Sequence, residues 1–299
     1  MSDSTAERAR SVARVVTAHR QTEGGGFVVR RPIPTYGLSL VDPFLLVDEM
    51  GPVDYGPGEA VGAPDHPHRG FETVTYMLEG EGQHEDSAGN RGVIGPGAVQ
   101  WMTAGSGLVH SELPSEHFRE RGGRMHGFQI WVNLPRDKKL VPPRYQEIPA
   151  QQIPVARSED GRARAKVIAG EVFGVRAVID THTPISYHDW TLDPGADITL
   201  PVASDANVCV YVFQGTAHVG ADARVVDDGQ LALLGSGEAV RLATPAQGGG
   251  ARLLLLAGRP LREPVARHGP FVMNTREELE QAFADFEAGR MGRIERTRD

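Results

Sequence analysis

Short apolar runs separated by glycine-containing turns recur through this 299-residue chain and limit the folds that it can adopt. Between residues 63 and 134 the runs read ETVTYMLEG, RGVIGPGAVQWMTAG, GLVHSEL and HGFQIWVNL. Apolar and polar residues alternate within them with the period of two that is typical of a half-buried β-strand. A turn about every 8 to 12 residues leaves little room for long helices, and the 36 Gly and 21 Pro residues agree with frequent turns. The pattern predicts an all-β fold of antiparallel sandwiches or barrels.

The two halves of the chain resemble degenerate copies of one another. VTYMLEG at 74–80 is similar to CVYVFQG at 209–215, and GAVQWMTAG at 97–105 is similar to GQLALLGSG at 229–237. The offsets between the copies are 135 and 132 positions, a small difference that a loop deletion between strands would leave. The repeat therefore predicts two antiparallel β-barrels of common plan.

Composition along the chain suggests where the barrels end. The segment 135–154 is rich in Pro and charge, which is typical of a linker. This divides the chain into an N-terminal barrel at 1–134 and a C-terminal barrel at 155–299. A helix is expected at about 275–288, because Thr275 can cap it together with Glu278, as in a capping box.

Charge and cysteine content exclude several classes of protein. The net charge is −8 and no Lys/Arg-rich block occurs, so direct binding to nucleic acid is not expected. The sequence has neither a signal-peptide-like apolar segment nor a membrane-length apolar run, and Cys209 is its single cysteine. Such a chain is expected to be cytoplasmic, without membrane contact and without disulfides.

Two pairs of residues suggest a metal site in the N-terminal half. His66 and His68 have the same parity, so on a strand both side chains project to one face. Glu72 shares this parity if the strand is unbroken, and His110 and Glu112 form a second same-face pair. If the two strands lie side by side, three imidazoles and a carboxylate converge, a set that suits a divalent first-row metal.

A His-x-His pair alone is more often a half-exposed strand feature, and His-x-Glu alone is weaker still. The repeat provides an internal comparison, because the C-terminal half keeps the strand pattern without the candidate ligands. By the offsets, apolar or uncharged polar residues correspond to the histidines and glutamates: Pro201, Ala203, Asn207, Leu242 and Thr244. One metal site is therefore expected, in the N-terminal barrel.

Long motifs then point to a family. HPHRGFET, followed by G-x5-T-A-G-x4-H, is similar to the two cupin motifs, with Thr103 where the usual motif has proline. Five longer segments resemble the pirin family, a bicupin branch of the cupin superfamily: DPFLLVDE (42–49), DHPHRGFETVTYMLEG (65–80), QWMTAGSGLVHSE (100–112), GFQIWVNLP (127–135) and REPVARHGPFVMNT (262–275). The matches extend over nearly the whole chain.

The resemblance implies two cupin-type barrels, with one metal in the N-terminal barrel. Iron is the metal expected, although Mn, Co, Ni, Cu or Zn would also suit the donors. The ligand pattern carried over from the family is His66, His68, His110 and Glu112. Glu72, a ligand in the general cupin pattern, is then expected near the site or in a hydrogen bond within the sheet.

Two further groups of residues are weighed beside the ligands. His126 and Gln129 flank the apolar strand HGFQIWV, and one of them is expected to line the pocket. His84 and its acidic neighbours lie in the segment 81–90, which is predicted to be a solvated turn.

The resemblance also implies an activity, the opening of flavonols such as quercetin by a metal-dependent quercetin 2,3-dioxygenase. In that reaction Glu112 would act as the base that takes the substrate's 3-hydroxyl proton. The alternative is an iron-dependent, redox-sensing regulatory protein that binds a transcription factor or a metabolic enzyme. A small aromatic substrate is thus expected, with a protein partner as the alternative, and the protein is expected to be a monomer.

Overall fold

A computed structural model describes residues 9–296 of the chain. No helix in this part of the chain is long and apolar enough to span a membrane. Within residues 9–296 there are two α-helices, α1 (Glu116–Arg121) and α2 (Arg276–Glu287). The strands, in chain order, are β1 Val12–Thr17, β2 His19–Glu23, β3 Phe27–Ile33, β4 Phe44–Tyr55, β5 Ala63–His68, β6 Phe71–Glu79, β7 Gly82–Asp86, β8 Arg91–Ile94, β9 Val99–Thr103, β10 Leu108–Pro114, β11 Gly123–Asn133, β12 Arg144–Ile148, β13 Val155–Arg157, β14 Ala163–Ala169, β15 Glu171–Val172, β16 Val175–Arg176, β17 Ile185–Leu192, β18 Asp197–Pro201, β19 Asn207–Gln214, β20 Thr216–Val219, β21 Arg224–Asp227, β22 Gln230–Leu234, β23 Ala239–Ala243, β24 Ala251–Gly258, β25 Ala266–His268 and β26 Phe271–Met273.

The chain divides into two compact units. Of the described residues, the N-terminal unit comprises 20–31, 44–150 and 261–296, and the C-terminal unit comprises 9–19, 32–43 and 151–260. The N-terminal unit contains a seven-stranded sheet in the order β12-β9-β6-β11-β4-β3-β2 and a four-stranded sheet in the order β5-β10-β7-β8. The neighbouring strands from β12 to β4 in the first sheet, and all neighbouring strands in the second, pair antiparallel.

The C-terminal unit has the same plan. Its seven-stranded sheet has the order β1-β22-β19-β24-β17-β14-β13, and its four-stranded sheet has the order β18-β23-β20-β21. The repeated motifs occupy equivalent places, because β6 lies beside β9 in one unit as β19 lies beside β22 in the other. The predicted all-β fold with two barrels of common plan and a short C-terminal helix is confirmed, and α1 is an addition that the sequence did not predict.

Each unit combines segments that are distant in sequence, so the units do not coincide with the predicted division into 1–134, 135–154 and 155–299. The first strand, β1, pairs with β22 and so belongs to the C-terminal unit, while α2 belongs to the N-terminal unit. The predicted linker also includes β12, which pairs with β9. Local composition cannot reveal these pairings, because they depend on partners that are distant in sequence.

Helix α2 forms as its sequence predicts. The Thr275 hydroxyl accepts the Glu278 N–H, and the Glu278 carboxylate accepts the Thr275 N–H in return, which completes a capping box. Ala282 is fully buried and packs with Phe271 of β26 and Val109 of β10. This apolar contact places the helix behind the strand that carries His110.

Candidate metal centre

Strands β5 and β10 bring three histidines together in the N-terminal unit. His66 and His110 lie directly opposite each other in this antiparallel pair, and His68 lies two residues along β5 on the same face. The candidate ligand atoms of the three side chains all lie within 4.8 Å of one another. Among the described residues, this is the one such cluster of His, Cys, Asp or Glu side chains.

Backbone carbonyls fix the tautomers of two of these histidines. The Nδ1 atom of His66 lies 2.7 Å from the carbonyl oxygen of Pro64, and that of His68 lies 3.3 Å from the carbonyl oxygen of Pro270. Because a carbonyl oxygen only accepts, each Nδ1 carries the proton and each Nε2 has a free lone pair. The two Nε2 atoms are 3.1 Å apart and point to the same place. In metal sites, a hydrogen bond of this kind to the ring nitrogen that does not bind the metal orients the histidine.

Burial keeps the imidazoles of His68 and His110 neutral. His110 is fully buried, and neither ring nitrogen has a hydrogen-bond partner among the described residues. Burial, followed by the neighbouring imidazoles, holds the pKa values of His68 and His110 well below the ordinary value. Inward-facing imidazole nitrogens are donors that a first-row divalent metal accepts, so the three histidines fit such an ion.

Glu112 follows His110 on β10, after an irregularity in the pairing with β5. Its Oε2 atom lies 3.9 Å from Nε2 of His110. Two donors orient the carboxylate: the Thr75 hydroxyl at 2.9 Å and the Gln129 side-chain amide, which lies 3.0 and 2.9 Å from the two carboxylate oxygens. The carboxylate is therefore held beside the histidine cluster, although its role as the fourth ligand stays a prediction.

The structure places Glu72 away from the cluster. The parity argument requires an unbroken strand, but Gly70, with φ of 88°, turns the chain between β5 and β6. Glu72 thus lies in the other sheet of the unit, where it is fully buried and accepts a 2.7 Å hydrogen bond from the Thr103 hydroxyl. Thr103 occupies the position of the usual cupin proline, so this departure from the motif provides the glutamate with a donor.

His126 and Gln129 have separate environments. Gln129 lines the cavity described below and binds Glu112. His126 contacts the buried carboxylate of Glu49 through Nε2 at 2.8 Å, and Arg30 also binds that carboxylate. The structure therefore brings Gln129, and not His126, to the site.

The prediction of a solvated turn over 81–90 is wrong for its first half. Residues 82–86 form β7, and His84 and Asp86 are 2% and 3% exposed. His84 lies opposite Glu112 in the pairing of β7 with β10, and its Nε2 is 2.5 Å from Oε1 of Glu147. Gly82, His84 and Asp86 have the same parity, which is compatible with one buried strand face. The many polar residues of this segment favoured a turn instead.

A cavity of about 560 Å³ opens onto His66 and His68. Arg267, Arg31, Asp48 and Glu23 form a charged part of its wall, and the guanidinium of Arg267 stacks 4.7 Å above the Trp131 ring. The rest of the wall is largely apolar: Phe27, Leu46, Met50, Val53, Met77, Ile94, Leu113, Met125 and Trp131. The buried indole N–H of Trp131 has no acceptor among the described residues. The cavity is of the size and polarity that small-molecule sites show.

Comparison with known proteins agrees with this geometry. The family profile described as Pirin matches residues 26–132, and the profile of the pirin C-terminal cupin domain matches residues 187–292. A pirin-like protein of Arabidopsis thaliana is 45% identical over 297 residues, which cover 97% of this chain and 92% of that protein. The chain belongs to the pirin family. Human pirin is 43% identical over 282 residues, covering 93% of this pirin and 92% of the human protein.

A solved structure extends the comparison to the fold. The crystal structure of a quercetin 2,3-dioxygenase from Acinetobacter baumannii has a TM-score of 0.89 and 36% sequence identity to this pirin. The match covers 96% of this chain and 99% of that chain. The two barrels described above are therefore cupin domains, as the sequence motifs predicted.

The second cupin domain of this pirin has an apolar interior in place of a ligand set. Leu200 of β18 and Val240 of β23 lie opposite each other, as His66 of β5 and His110 of β10 do, and both belong to one large apolar cluster. Pro201 and Ala203, which the repeat offsets predicted as counterparts of the histidines of β5, are exposed. On β18 the offset therefore has the wrong parity, because Leu200 and not Pro201 belongs to the apolar interior, and in a strand a shift of one residue moves a side chain to the other face.

Proposed function

We propose that this pirin is a metal-dependent dioxygenase that opens the ring of flavonols such as quercetin. The observation that carries the proposal is the position of the Glu112 carboxylate, which Thr75 and Gln129 orient beside the histidine cluster and which lines the apolar cavity. The likeness to a solved quercetin 2,3-dioxygenase over nearly its full length supports the same chemistry.

The proposed ligands are His66, His68 and His110, with Glu112 as the fourth. A divalent metal held by them, iron being the one expected, would act as a Lewis acid toward the substrate and provide the electron-transfer chemistry that dioxygen requires. In the proposed net reaction, both atoms of dioxygen enter the flavonol while one ring carbon leaves as carbon monoxide.

The residues of the chain have three tasks in this proposal. Glu112 takes the proton of the substrate's 3-hydroxyl group, a step that a positioned carboxylate accelerates. Thr75 and Gln129 hold the carboxylate in one orientation, so little reorganisation is needed when the proton moves. The apolar wall around Trp131 excludes water from the electron-rich substrate, and the free indole N–H is available as a donor to a substrate oxygen.

The experiment is oxygen uptake by the purified protein with quercetin, after loading in turn with Fe, Mn, Co, Ni, Cu and Zn. Carbon monoxide release is measured in parallel. The Glu112→Gln variant should lose about 100-fold or more in kcat, because general acid–base catalysis contributes about 10² to 10⁴. Glu116→Gln, at an exposed position of α1, is the matched control and should keep the activity of the unmodified protein.

Absence of oxygen uptake with every metal would refute the dioxygenase proposal. If the protein nevertheless binds iron, the redox-sensing regulatory alternative becomes the better one. A pull-down with the iron held ferrous and then ferric tests that alternative, since a sensor should bind its partner in only one oxidation state. The identity of the metal, the cytoplasmic location and the monomeric state stay predictions.

A further inference from the structure

The strand that carries two of the proposed ligands is held on its opposite face by the end of the chain. Side chains alternate along β5, so His66 and His68 face the interior while Asp65 and Arg69, which follows the strand, face outward. Both outward side chains bind partners beyond residue 280. The ligand strand therefore has a metal-facing side and a side that faces the C-terminal segment.

Arg69 makes the stronger of these contacts. It is 7% exposed, and its guanidinium donates to Oδ2 of Asp285 in α2 at 2.7 Å and to the carbonyl oxygen of Ser106 at 2.8 Å. Arg69 and the side chains of Gln281 and Arg290 lower the pKa of Asp285 to about 2. Charge-assisted hydrogen bonds of a largely buried arginine fix its position more firmly than exposed ion pairs do.

Asp65 makes a second, exposed contact. Nη1 of Arg296 lies 3.1 Å from Oδ2 of Asp65, and Nε of Arg296 lies 3.6 Å from Glu85 of the neighbouring strand β7. Residue 65 directly precedes His66. The two ion pairs thus bracket the His-x-His pair in sequence.

The backbone between β25 and β26 connects this segment to His68 itself. The Pro270 carbonyl accepts from Nδ1 of His68, and the Val272 N–H donates to the Arg69 carbonyl at 3.1 Å. The buried ammonium group of Lys139 donates to the carbonyls of Gly70 and Val272 at 2.8 and 3.0 Å, so it joins the two segments next to the histidine.

We propose that residues 266–296, here called the strap, form part of the metal centre by positioning His68, so that metal binding and docking of the strap are coupled. The proposal rests on the histidine cluster as a metal site but requires no particular reaction. Arg69 and Asp285 are positioning residues in this arrangement, since they act on the metal through the ligand strand. Outer-shell partners of histidine ligands commonly contribute tenfold to 100-fold to metal affinity.

Coupling of this kind is reciprocal. If the docked strap raises metal affinity, bound metal must stabilise the docked strap by the same factor. The surface of α2 would then respond to the occupancy of a site that it does not line. A change in metal content would thereby be transmitted to an exposed helix.

The test compares Asp285→Asn with Glu280→Gln in the full-length protein. Glu280 lies on the same helix and forms an exposed pair with Arg276 at 3.0 Å, so its substitution removes a similar charge without touching the ligand strand. Arg296→Gln is a second variant, at an exposed position whose loss the fold should tolerate. Cobalt(II) affinity is measured by chelator competition, the cobalt visible spectrum reports ligand geometry, and hydrogen exchange of residues 276–287 reports docking.

We expect Asp285→Asn to weaken cobalt binding by about tenfold or more and to alter the visible spectrum. Arg296→Gln should act in the same direction with a smaller effect, and Glu280→Gln should resemble the unmodified protein. Cobalt should slow hydrogen exchange in α2 of the unmodified protein more than in Asp285→Asn.

Cobalt affinity within twofold of the unmodified protein in Asp285→Asn, together with exchange in α2 that cobalt leaves unchanged, would overturn the proposal. Failure of the unmodified protein to bind any metal would overturn the metal centre as well. An inactive protein that shows the expected coupling would contradict only the dioxygenase proposal.

Discussion

The contacts of Lys139 set the loss of stability that we expect when this residue is replaced by Met. It is 1% exposed, and its ammonium group donates to the carbonyls of Gly70 and Val272 and to the side-chain oxygen of Asn133, all at 2.8 to 3.0 Å. In Lys139→Met, three hydrogen bonds from a charged donor are lost, and at about 2 kcal/mol each this costs about 6 kcal/mol.

The burial of the ammonium group partly offsets this loss. Burial lowers the pKa of Lys139 from 10.5 to about 8. At about 1.4 kcal/mol for each pH unit, the cost of keeping the folded-state lysine protonated is about 3 kcal/mol at pH 7. This cost is absent in Lys139→Met and offsets about half of the loss of hydrogen bonds. We therefore expect a net destabilisation of about 3 kcal/mol at neutral pH.

The sign of the pH dependence is fixed by the direction of the pKa shift. Between pH 8 and 10.5 the unfolded chain binds more protons at this lysine than the folded protein does. The free energy of unfolding of the unmodified protein should therefore rise with pH over this window, relative to Lys139→Met, by up to about 3 kcal/mol. Below pH 8 this contribution should be flat.

Urea denaturation at pH 7 and pH 10 measures both effects. A Trp190→Phe background leaves Trp101 and Trp131 as fluorescent reporters, and both lie in the N-terminal unit. Lys138→Met, next to the buried lysine but exposed, is the control and should change neither value. Equal stability of Lys139→Met and the unmodified protein at pH 7 would refute the role of the three hydrogen bonds, and an unchanged difference at pH 10 would refute the cost of burial.

Two further predictions concern the turn after β5 and the second cupin domain. Gly70→Ala should destabilise the N-terminal unit by more than about 2 kcal/mol and lower its metal content, because a Cβ there would lie 2.0 Å from the Val272 carbonyl. Gly89→Ala, at nearly the same φ but with open space around it, should cost about 1 kcal/mol, and thermal unfolding with metal analysis compares the two. Leu242→Ala should destabilise the C-terminal unit by about 2 to 5 kcal/mol, as core truncations do, while metal analysis shows an unchanged metal content.

Period-two alternation and the internal repeat were sufficient to predict the fold. Alternation specifies strands directly, and the repeated motifs predicted a common plan, which the structure shows in the pairing of β6 with β9 in one unit and of β19 with β22 in the other. The domain boundaries were harder to predict from the sequence. Strand β1 contributes to the sheet of the second cupin domain through pairing with β22, more than 200 residues away, and no local signal marks that partner.

The parity rule that predicted the histidine cluster gave the wrong result for Glu72. Parity places His66 and His68 on one face as long as β5 continues, which it does to residue 68. Gly70 then reverses the chain, so the parity rule no longer applies to the glutamate two residues later. A glycine at that position was visible in the sequence, but only the structure shows that its carbonyl is bound by Lys139 and that it ends the strand.

Neither alternation nor motif spacing predicts the contacts between the strap and β5. Asp65 and Arg69 have the parity opposite to the histidines, which indicates that β5 has a second charged face, yet their partners follow 231 and 216 residues later. Opposite charges at such separations are too common for a sequence to select one pair. The selection comes from packing: Ala282 and Phe271 seat α2 against β10, and this contact brings Asp285 to Arg69. The segment that chain order assigned to the second cupin domain thus supports the strand of the first that carries His66 and His68.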